Sequence, residues 1–291
     1  MTALRVVLVV PCYVEASRLA PAAFLDFLPS RPWLTLLLVD DGSHDGTVGV
    51  LESIEAACPW QVQVLRLPHA GKAEAVRAGV LEAARWQPDY IGFWDADLST
   101  PLEALDDFVA FARRRPDVDL ILGSRVNVMG RDIRRSAARH YVSRVFATAA
   151  SHAVDLPVYD TQCGAKLFRA SGDVLSVFGN PFRSRWIFDV EILERYLLLA
   201  VRDDGPPRRA RIYELVLPVW HEVPGSKLRA WDFLWSFVEV FGVWRRRVSL
   251  STVARSAKVG GPGGRGQEGS SHAVAPSAEA GGPEAKEPRS S

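Results

Sequence analysis

Two carboxylates one residue apart, Asp95 and Asp97 in Phe93-Trp-Asp-Ala-Asp97, follow the apolar run Tyr90-Ile-Gly-Phe-Trp94. Such a run reads as a strand buried on both faces. Side chains alternate along a strand, so both carboxylates are expected to point the same way at its carboxyl end, where open α/β sheets place their ligands. Two hard oxygen donors there suit Mg²⁺ or Mn²⁺ carrying a diphosphate. Turns are also rich in aspartate, so the pair takes its meaning from its surroundings.

Further groups with chemistry to offer fall at other strand ends. In Val39-Asp-Asp-Gly-Ser-His-Asp-Gly-Thr47, Asp40 and Asp41 close an apolar run, and Ser43 or Asp45 is placed to cap the following helix. A second carboxylate is more than capping requires, so Asp41 is the candidate to accept hydrogen bonds from a nucleotide's ribose or base. In Pro68-His-Ala-Gly-Lys72, a glycine precedes a lysine at a helix start. A helix N-terminus with an ammonium favours phosphate, although a glycine turn with a surface lysine would look the same.

The elements that must position these groups are legible as alternation. Apolar runs at Leu4–Val10, Leu34–Val39, Val62–Leu67, Tyr90–Trp94 and Leu120–Leu122 predict strands, and amphipathic stretches near 15–28, 45–57, 72–86 and 101–115 predict helices. That spacing implies an α/β fold whose mainly parallel central sheet is covered by helices on both faces. With 291 residues, 48% hydrophobic content and a net charge of +1, a sizeable core can be buried and a whole-surface nucleic-acid binder is disfavoured. Cys12, Cys58 and Cys163 are too few and too scattered for a disulfide framework, which points to a reducing compartment. The first apolar run stops at Pro11, too short for a signal peptide or a membrane span. From about Ser256 to Ser291 the chain has no aromatic residue, Leu or Ile and is expected to be disordered. The six histidines form no metal-ligand pattern. His221 is singled out because Trp220-His-Glu222 precedes Gly225-Ser226-Lys227.

The series Val10-Pro-Cys-Tyr-Val-Glu15, Val39-Asp-Asp-Gly-Ser43, Gly71-Lys72, Asp95-Ala-Asp97 and Gly123-Ser-Arg125 resembles the family 2 glycosyltransferases, which bind nucleotide sugars on a GT-A fold. More narrowly, Asp160-Thr-Gln-Cys-Gly-Ala-Lys-Leu-Phe168, Arg185-Trp-Ile-Phe-Asp-Val-Glu191 and Glu222-Val-Pro-Gly-Ser-Lys-Leu228 are similar to the dolichyl-phosphate glucosyltransferase branch, with the polyprenyl-phosphate mannosyltransferases as near relatives. The resemblance spans roughly residues 4–250.

What the resemblance implies is transfer of glucose from UDP-glucose to a polyprenyl phosphate, with a single GT-A domain over 1–250. Residues 1–125 would form its nucleotide-sugar half and 126–250 its acceptor half. Asp95 and Asp97 would hold Mg²⁺ or Mn²⁺, a Lewis acid for the leaving diphosphate. Lys72 and Arg125 would add charge there, Arg125 through a bidentate guanidinium. Pro11, Glu15 and Asp41 would surround the nucleotide. Asp160, Gln162, Lys166, Ser226 and Lys227 would serve the acceptor side, and Asp189 and Glu191 fall where many relatives carry an acidic catalytic residue. Here they would instead orient sugar hydroxyls or a basic phosphate ligand.

A lipid acceptor calls for a membrane surface. The aromatic segment Trp231–Trp244, followed by Arg245-Arg-Arg247, is too short and too charged to span a bilayer but suits an interface. Residues 131–154, where arginines interleave with Ile133, Tyr141, Val145 and Phe146, are a second candidate. The expectation is a cytoplasmic, peripheral enzyme without a transmembrane span. GDP-mannose as donor, a soluble acceptor, or a non-catalytic nucleotide-sugar-binding scaffold are the alternatives.

Overall fold

A computed structural model of the chain describes residues 4–134, 137–199, 206–223 and 235–247. All lie in the unit Met1–Leu250. The segment expected to be disordered, 256–291, lies outside the described residues.

Seven strands form one sheet in the order β3-β2-β1-β4-β7-β5-β8. They are β1 (Val6–Cys12), β2 (Leu34–Asp41), β3 (Val62–Leu67), β4 (Tyr90–Trp94), β5 (Leu120–Ser124), β7 (Ala165–Arg169) and β8 (Ile212–Val216). β6 (Asp132–Arg134) and β9 (Val219–His221) pair separately. Parallel pairing joins β1 to β2 and β4, β2 to β3, and β5 to β8. Only β7 runs against its neighbours β4 and β5. The mainly parallel α/β sheet anticipated from the alternation is therefore present.

Valine and leucine dominate β1 and β2 because both faces are covered. Val6, Leu8 and Val10 join one core with Leu36, Leu38, Leu51 and Phe108, while Val7 and Val9 join the other with Leu37, Val39, Val76 and Val190. The first core lies under α1 (Pro21–Phe27), α2 (Thr47–Ala57) and α4 (Ala104–Arg114). The second lies under α3 (Lys72–Ala84), α5 (Ala137–Val154) and α7 (Phe188–Leu198), with the short α6 (Gly172–Ser176) and a helix at 235–247, here α8.

Of the differences from expectation, three have a physical reason. β1 extends through Pro11 to Cys12, because the β4 register stops at Val9 and leaves the prolyl nitrogen without a ladder partner to lose on that side. The helix expected over 15–28 shrinks to α1: Val14 adopts φ 52°, a left-handed conformation costly for a β-branched residue, and Pro21 then starts the helix. The stretch 131–154 divides into β6 and α5, and Phe146 of α5 is core rather than surface.

Away from the strand ends discussed below, Asp119 is 1% exposed and accepts from Arg211 Nε and Nη2 (2.7 and 2.8 Å), Tyr196 Oη (2.5 Å) and Arg169 Nε (3.2 Å). Burial opposes ionisation, but the bonds from Arg211 and Tyr196 outweigh it and hold this carboxyl below the usual range. A depressed carboxylate pKa stabilises the fold above the unfolded value and loses that contribution as pH falls through the folded one. Asp119→Asn should therefore cost about 1.5–3 kcal/mol at neutral pH, and the gap from the parent should narrow in acid. Thermal denaturation at several pH values measures both.

Candidate active site

The loops after β1, β2, β3, β4 and β5 all open at one end of the sheet. β7 adds a contribution that alternation does not foresee. Because it is antiparallel, its first residue Ala165 pairs with Trp94, the last of β4, so Asp160–Gly164 arrive beside Asp95. Asp95 N–H donates to Gly164 O (3.0 Å), and a Cβ on Gly164 would sit 1.9 Å from Asp95 Oδ2. Glycine is required there because the carboxylate rests against its Cα.

Asp95 and Asp97 lie past β4 in a turn closed by Leu98 N–H to Asp95 O (3.1 Å), with Leu98 at φ 51°. The strand alternation expected to align them does not apply; the turn and its cations do. Asp95 Oδ1 accepts from the Lys72 ammonium. Asp97 Oδ1 accepts from Ser99 N–H (3.0 Å) and Oγ (2.7 Å), and its Oδ2 from Arg18 Nη2 (3.1 Å). Lys72 opens α3 after Gly71 at φ 96°, the anticipated glycine turn. Burial works against the Lys72 charge, yet Asp95 and Asp189 outweigh it and raise its pKa; burial likewise opposes Asp95, which Lys72 nevertheless holds low.

Arg125 extends from β5 and grips Asp160 in bidentate fashion, Nε to Oδ2 at 2.6 Å and Nη2 to Oδ1 at 2.8 Å, beneath the Trp220 ring. The fork expected to hold phosphate holds this carboxylate here. Asp160 also caps its own turn by accepting from Gln162 N–H (3.2 Å). Glu214 of β8, not singled out from sequence, fixes the segment by accepting from Tyr159 and Asp160 N–H, both at 2.7 Å.

Lys166, expected on the acceptor side, is fully buried, donating to Asp189 Oδ1 (2.6 Å) and to Cys163 O. There it neutralises Asp189. Burial raises the Asp189 pKa, with Lys166 opposing and nearby Asp95 adding to the rise. Glu191 Oε2 accepts from Arg183 and Ser184 N–H (2.9 and 3.2 Å) and its Oε1 from Arg195 Nη2 (2.9 Å), which pins the loop before α7.

Asp41 is 2% exposed. Its Oδ1 accepts from Ala70 N–H (2.8 Å), its Oδ2 from Gly71 N–H (3.0 Å), and His69 Nδ1 lies 2.9 Å from Oδ2. In this state it shapes the loop that delivers Lys72. The first loop, from Pro11 through Glu15, is stitched to the second: Val14 N–H donates to Ser43 Oγ (2.9 Å) and Glu15 N–H to Thr47 Oγ1 (2.8 Å). Asp45, just before the N-cap Gly46 of α2, accepts from Thr47 N–H (3.0 Å), while Ser43 ties the loops together. Tyr13 stacks on His69 at 4.1 Å. Arg185 lies over Gly71, its Nη2 3.3 Å from where a Cβ would be, and was missed because only its neighbours Asp189 and Glu191 looked chemical. His221 sits in β9 and bonds Asp132 Oδ2 (2.8 Å). Ser226 and Lys227 lie outside the described residues.

Each of Asp95, Asp97, Asp160 and Asp189 thus has a basic partner, Lys72, Arg18, Arg125 and Lys166 respectively. So balanced a site gains a large negative charge if a diphosphate binds alone. Two carboxylates at the open strand ends fit a hard divalent ion that would offset it, with phosphate oxygens and water completing its shell. No group of three His, Cys, Asp or Glu able to hold a metal occurs among the described residues.

A family model described as glycosyl transferase family 2 matches residues 7–174. No curated protein sequence matches significantly. Among solved structures, glucosyl-3-phosphoglycerate synthase from Mycobacterium tuberculosis, in complex with Mn²⁺, UDP and glucosyl-3-phosphoglycerate, is similar at a TM-score of 0.57 and 17% identity over 84% of this chain and 80% of that one. The same enzyme with Mn²⁺, UDP-glucose and glycerol 3-phosphate gives 0.56 at 17% identity over the same shares. A mannosyltransferase from Pyrobaculum calidifontis, in complex with GDP-mannose and Mn²⁺, gives 0.54 at 19% over 84% of this chain and 65% of that one. These likenesses show the GT-A fold.

Proposed function

Because the chain belongs to glycosyl transferase family 2, we propose that it moves glucose from UDP-glucose to a polyprenyl phosphate of the dolichyl type. The observation that carries this reading is the placement of β7 and α7. They bring Asp160, Lys166 and Asp189, all from the motifs of the lipid-phosphate branch, into one charge network with Asp95 and Lys72.

A lipid monophosphate has a second pKa of about 6, so at neutral pH it is already an anionic nucleophile. Asp189, tied to Lys166, need not act as a base. An acceptor phosphate oxygen attacks C1 of glucose, the bond from C1 to the UDP oxygen breaks, and UDP leaves with the electron pair. One in-line displacement turns an α-linked donor into a β-linked product. Asp95 and Asp97 would hold a divalent ion, which would supply Lewis-acid neutralisation of the leaving diphosphate. Lys72 delivers an ammonium to the same place, Arg185 flanks it, and Asp41 and Glu191 keep the two loops rigid. On this reading residues 1–125 bind the donor and 126–250 the acceptor.

The test is transfer from labelled UDP-glucose or GDP-mannose to polyprenyl phosphate in detergent, with Mn²⁺ or Mg²⁺ and with chelator. Metal-dependent glucosyl-lipid is expected. Mannosyl-lipid alone would overturn the donor. Transfer that persists without lipid, to a soluble phosphorylated acceptor of the kind in the M. tuberculosis complexes, would overturn the acceptor. Tight UDP-glucose binding with no turnover would favour a scaffold.

The lipid acceptor brings a membrane surface with it. On α8, Trp235, Val238, Phe241 and Trp244 form an exposed stripe, while Val240 and Val243 are buried beneath. Arg246 and Arg247 are engaged by Glu194 and Asp155. No helix among the described residues is long and apolar enough to cross a membrane. The stripe suits the plane of a bilayer, at the cytoplasmic face, with Arg245 at headgroup level. Replacing Trp235, Phe241 and Trp244 together by Ser should weaken co-sedimentation with anionic liposomes on the order of 10²-fold. Undiminished sedimentation, or a dimer that dissolves on substitution, would assign the stripe elsewhere.

A further inference from the structure

We propose that Arg18 is the resident counter-cation of Asp97, which it surrenders to a divalent ion while its guanidinium passes to the donor's diphosphate, so that ion and donor bind as a coupled pair. The proposal rests on Asp95 and Asp97 being the metal ligands.

The geometry points there from several directions. Arg18 lies in the first loop, its backbone fixed by N–H donation from Arg18 and Leu19 to Glu15 O (2.8 and 2.9 Å). Its guanidinium bridges two carboxylates, Nη1 to Glu15 Oε2 at 3.4 Å and Nη2 to Asp97 Oδ2 at 3.1 Å. Ser99 takes the other oxygen of Asp97, so the oxygen an incoming ion must claim is the one Arg18 occupies. Lys72 stands in the same relation to Asp95. A divalent ion arriving alone must break the contact with Asp97 and leave a guanidinium beside a new double charge. A diphosphate arriving with it gives the guanidinium an anion to hold, in the bidentate geometry arginine favours. Glu15, at the nucleotide-side end of the bridge, keeps Arg18 within reach during the exchange. Coupling of this kind is reciprocal: the donor must tighten metal binding by the factor by which metal tightens donor binding.

The test reads binding, not turnover. Free Mn²⁺ is followed by electron paramagnetic resonance during titration of the full chain, with and without UDP, in the parent, Arg18→Met, Arg18→Lys and Asp97→Asn. The parent should bind Mn²⁺ weakly alone and more tightly with UDP. Arg18→Met should bind Mn²⁺ alone about 3- to 10-fold more tightly, the scale of one partly exposed ion pair, and lose most of the enhancement by UDP. Arg18→Lys keeps a cation and should stay near the parent. Arg18→Gln replaces the methionine variant if that fails to fold. Unchanged affinity and coupling in the neutral variants would overturn the proposal, as would weaker Mn²⁺ binding, which would make Arg18 a mere support for Asp97. Asp97→Asn separates the two failures: parent binding that it abolishes upholds the metal site whatever Arg18 does. Mn²⁺ binding indifferent to Asp97→Asn overturns both.

Discussion

Asp97→Asn should lower glycosyl transfer on the order of 10³-fold or more while leaving the melting temperature nearly unchanged. The substitution keeps what is structural at this position, because an amide oxygen still accepts from Ser99 N–H and Oγ, which hold the turn after β4. What disappears is the charge. Neutralisation of a leaving diphosphate by a metal is worth several kcal/mol in the transition state, and each 1.36 kcal/mol is a factor of ten in rate. The side chain is 22% accessible, so removing its ion pair with Arg18 costs the fold little. Initial rates with saturating Mn²⁺, alongside a thermal melt, give the comparison. Full activity in a folded variant would remove Asp97 from the metal site.

Lys166→Met should cost stability instead, about 3–5 kcal/mol, or roughly 6–20 °C in melting temperature for a domain of this size. Lys166 is wholly enclosed and its ammonium faces Asp189, over the Phe93 ring. Without it a buried carboxylate has lost its cation. The sign of the pH dependence follows: Asp189 already titrates above the usual carboxylate range because of burial, and loss of Lys166 lifts it further. A raised carboxylate pKa penalises the fold above that pKa, so the deficit of the variant should shrink as pH is lowered through it. Pairing Lys166→Met with Asp189→Leu replaces the ion pair by apolar volume and should return most of the stability. Transfer activity should not return with it. A double variant as unstable as the single one would mean that Lys166 acts through Cys163 O rather than through Asp189.

The first five strands could be read in advance because each is an apolar run, near-continuous Val and Leu in β1 and β2, where both faces are covered by helices. The Asp-x-Asp turn, Gly71-Lys72 and Asp160 were visible as residue types at strand or loop ends. What could not be read was who holds whom. Arg18 sits in a stretch that looks helical, but the chain turns left-handed at Val14 before it and Arg18 reaches Asp97. Lys166 was expected on the acceptor side, although a parity argument for its enclosure was available. Leu167 and Phe168 enter opposite cores, so β7 has no solvent face and Lys166, sharing a side with Phe168, is enclosed. For Glu191 the sequence shows a carboxylate but not the two amides and the guanidinium that it accepts from. β6, β8 and β9 are only three, five and three residues long, too short for periodicity to mark them.

The reversed strand β7 also imposes an order on biosynthesis. β1 to β4 pair among themselves and can be assembled from the amino-terminal part of the chain as it is made, but the far edge of β4 has no partner until Ala165–Arg169 arrives. Long-range pairings of this kind close slowly, and an open strand edge invites pairing with other chains. The same delay withholds Gly164 from Asp95 and Lys166 from Asp189. A nascent chain that stops before β7 is therefore both sticky and inert, and the insertion of a single five-residue strand ends the two conditions together.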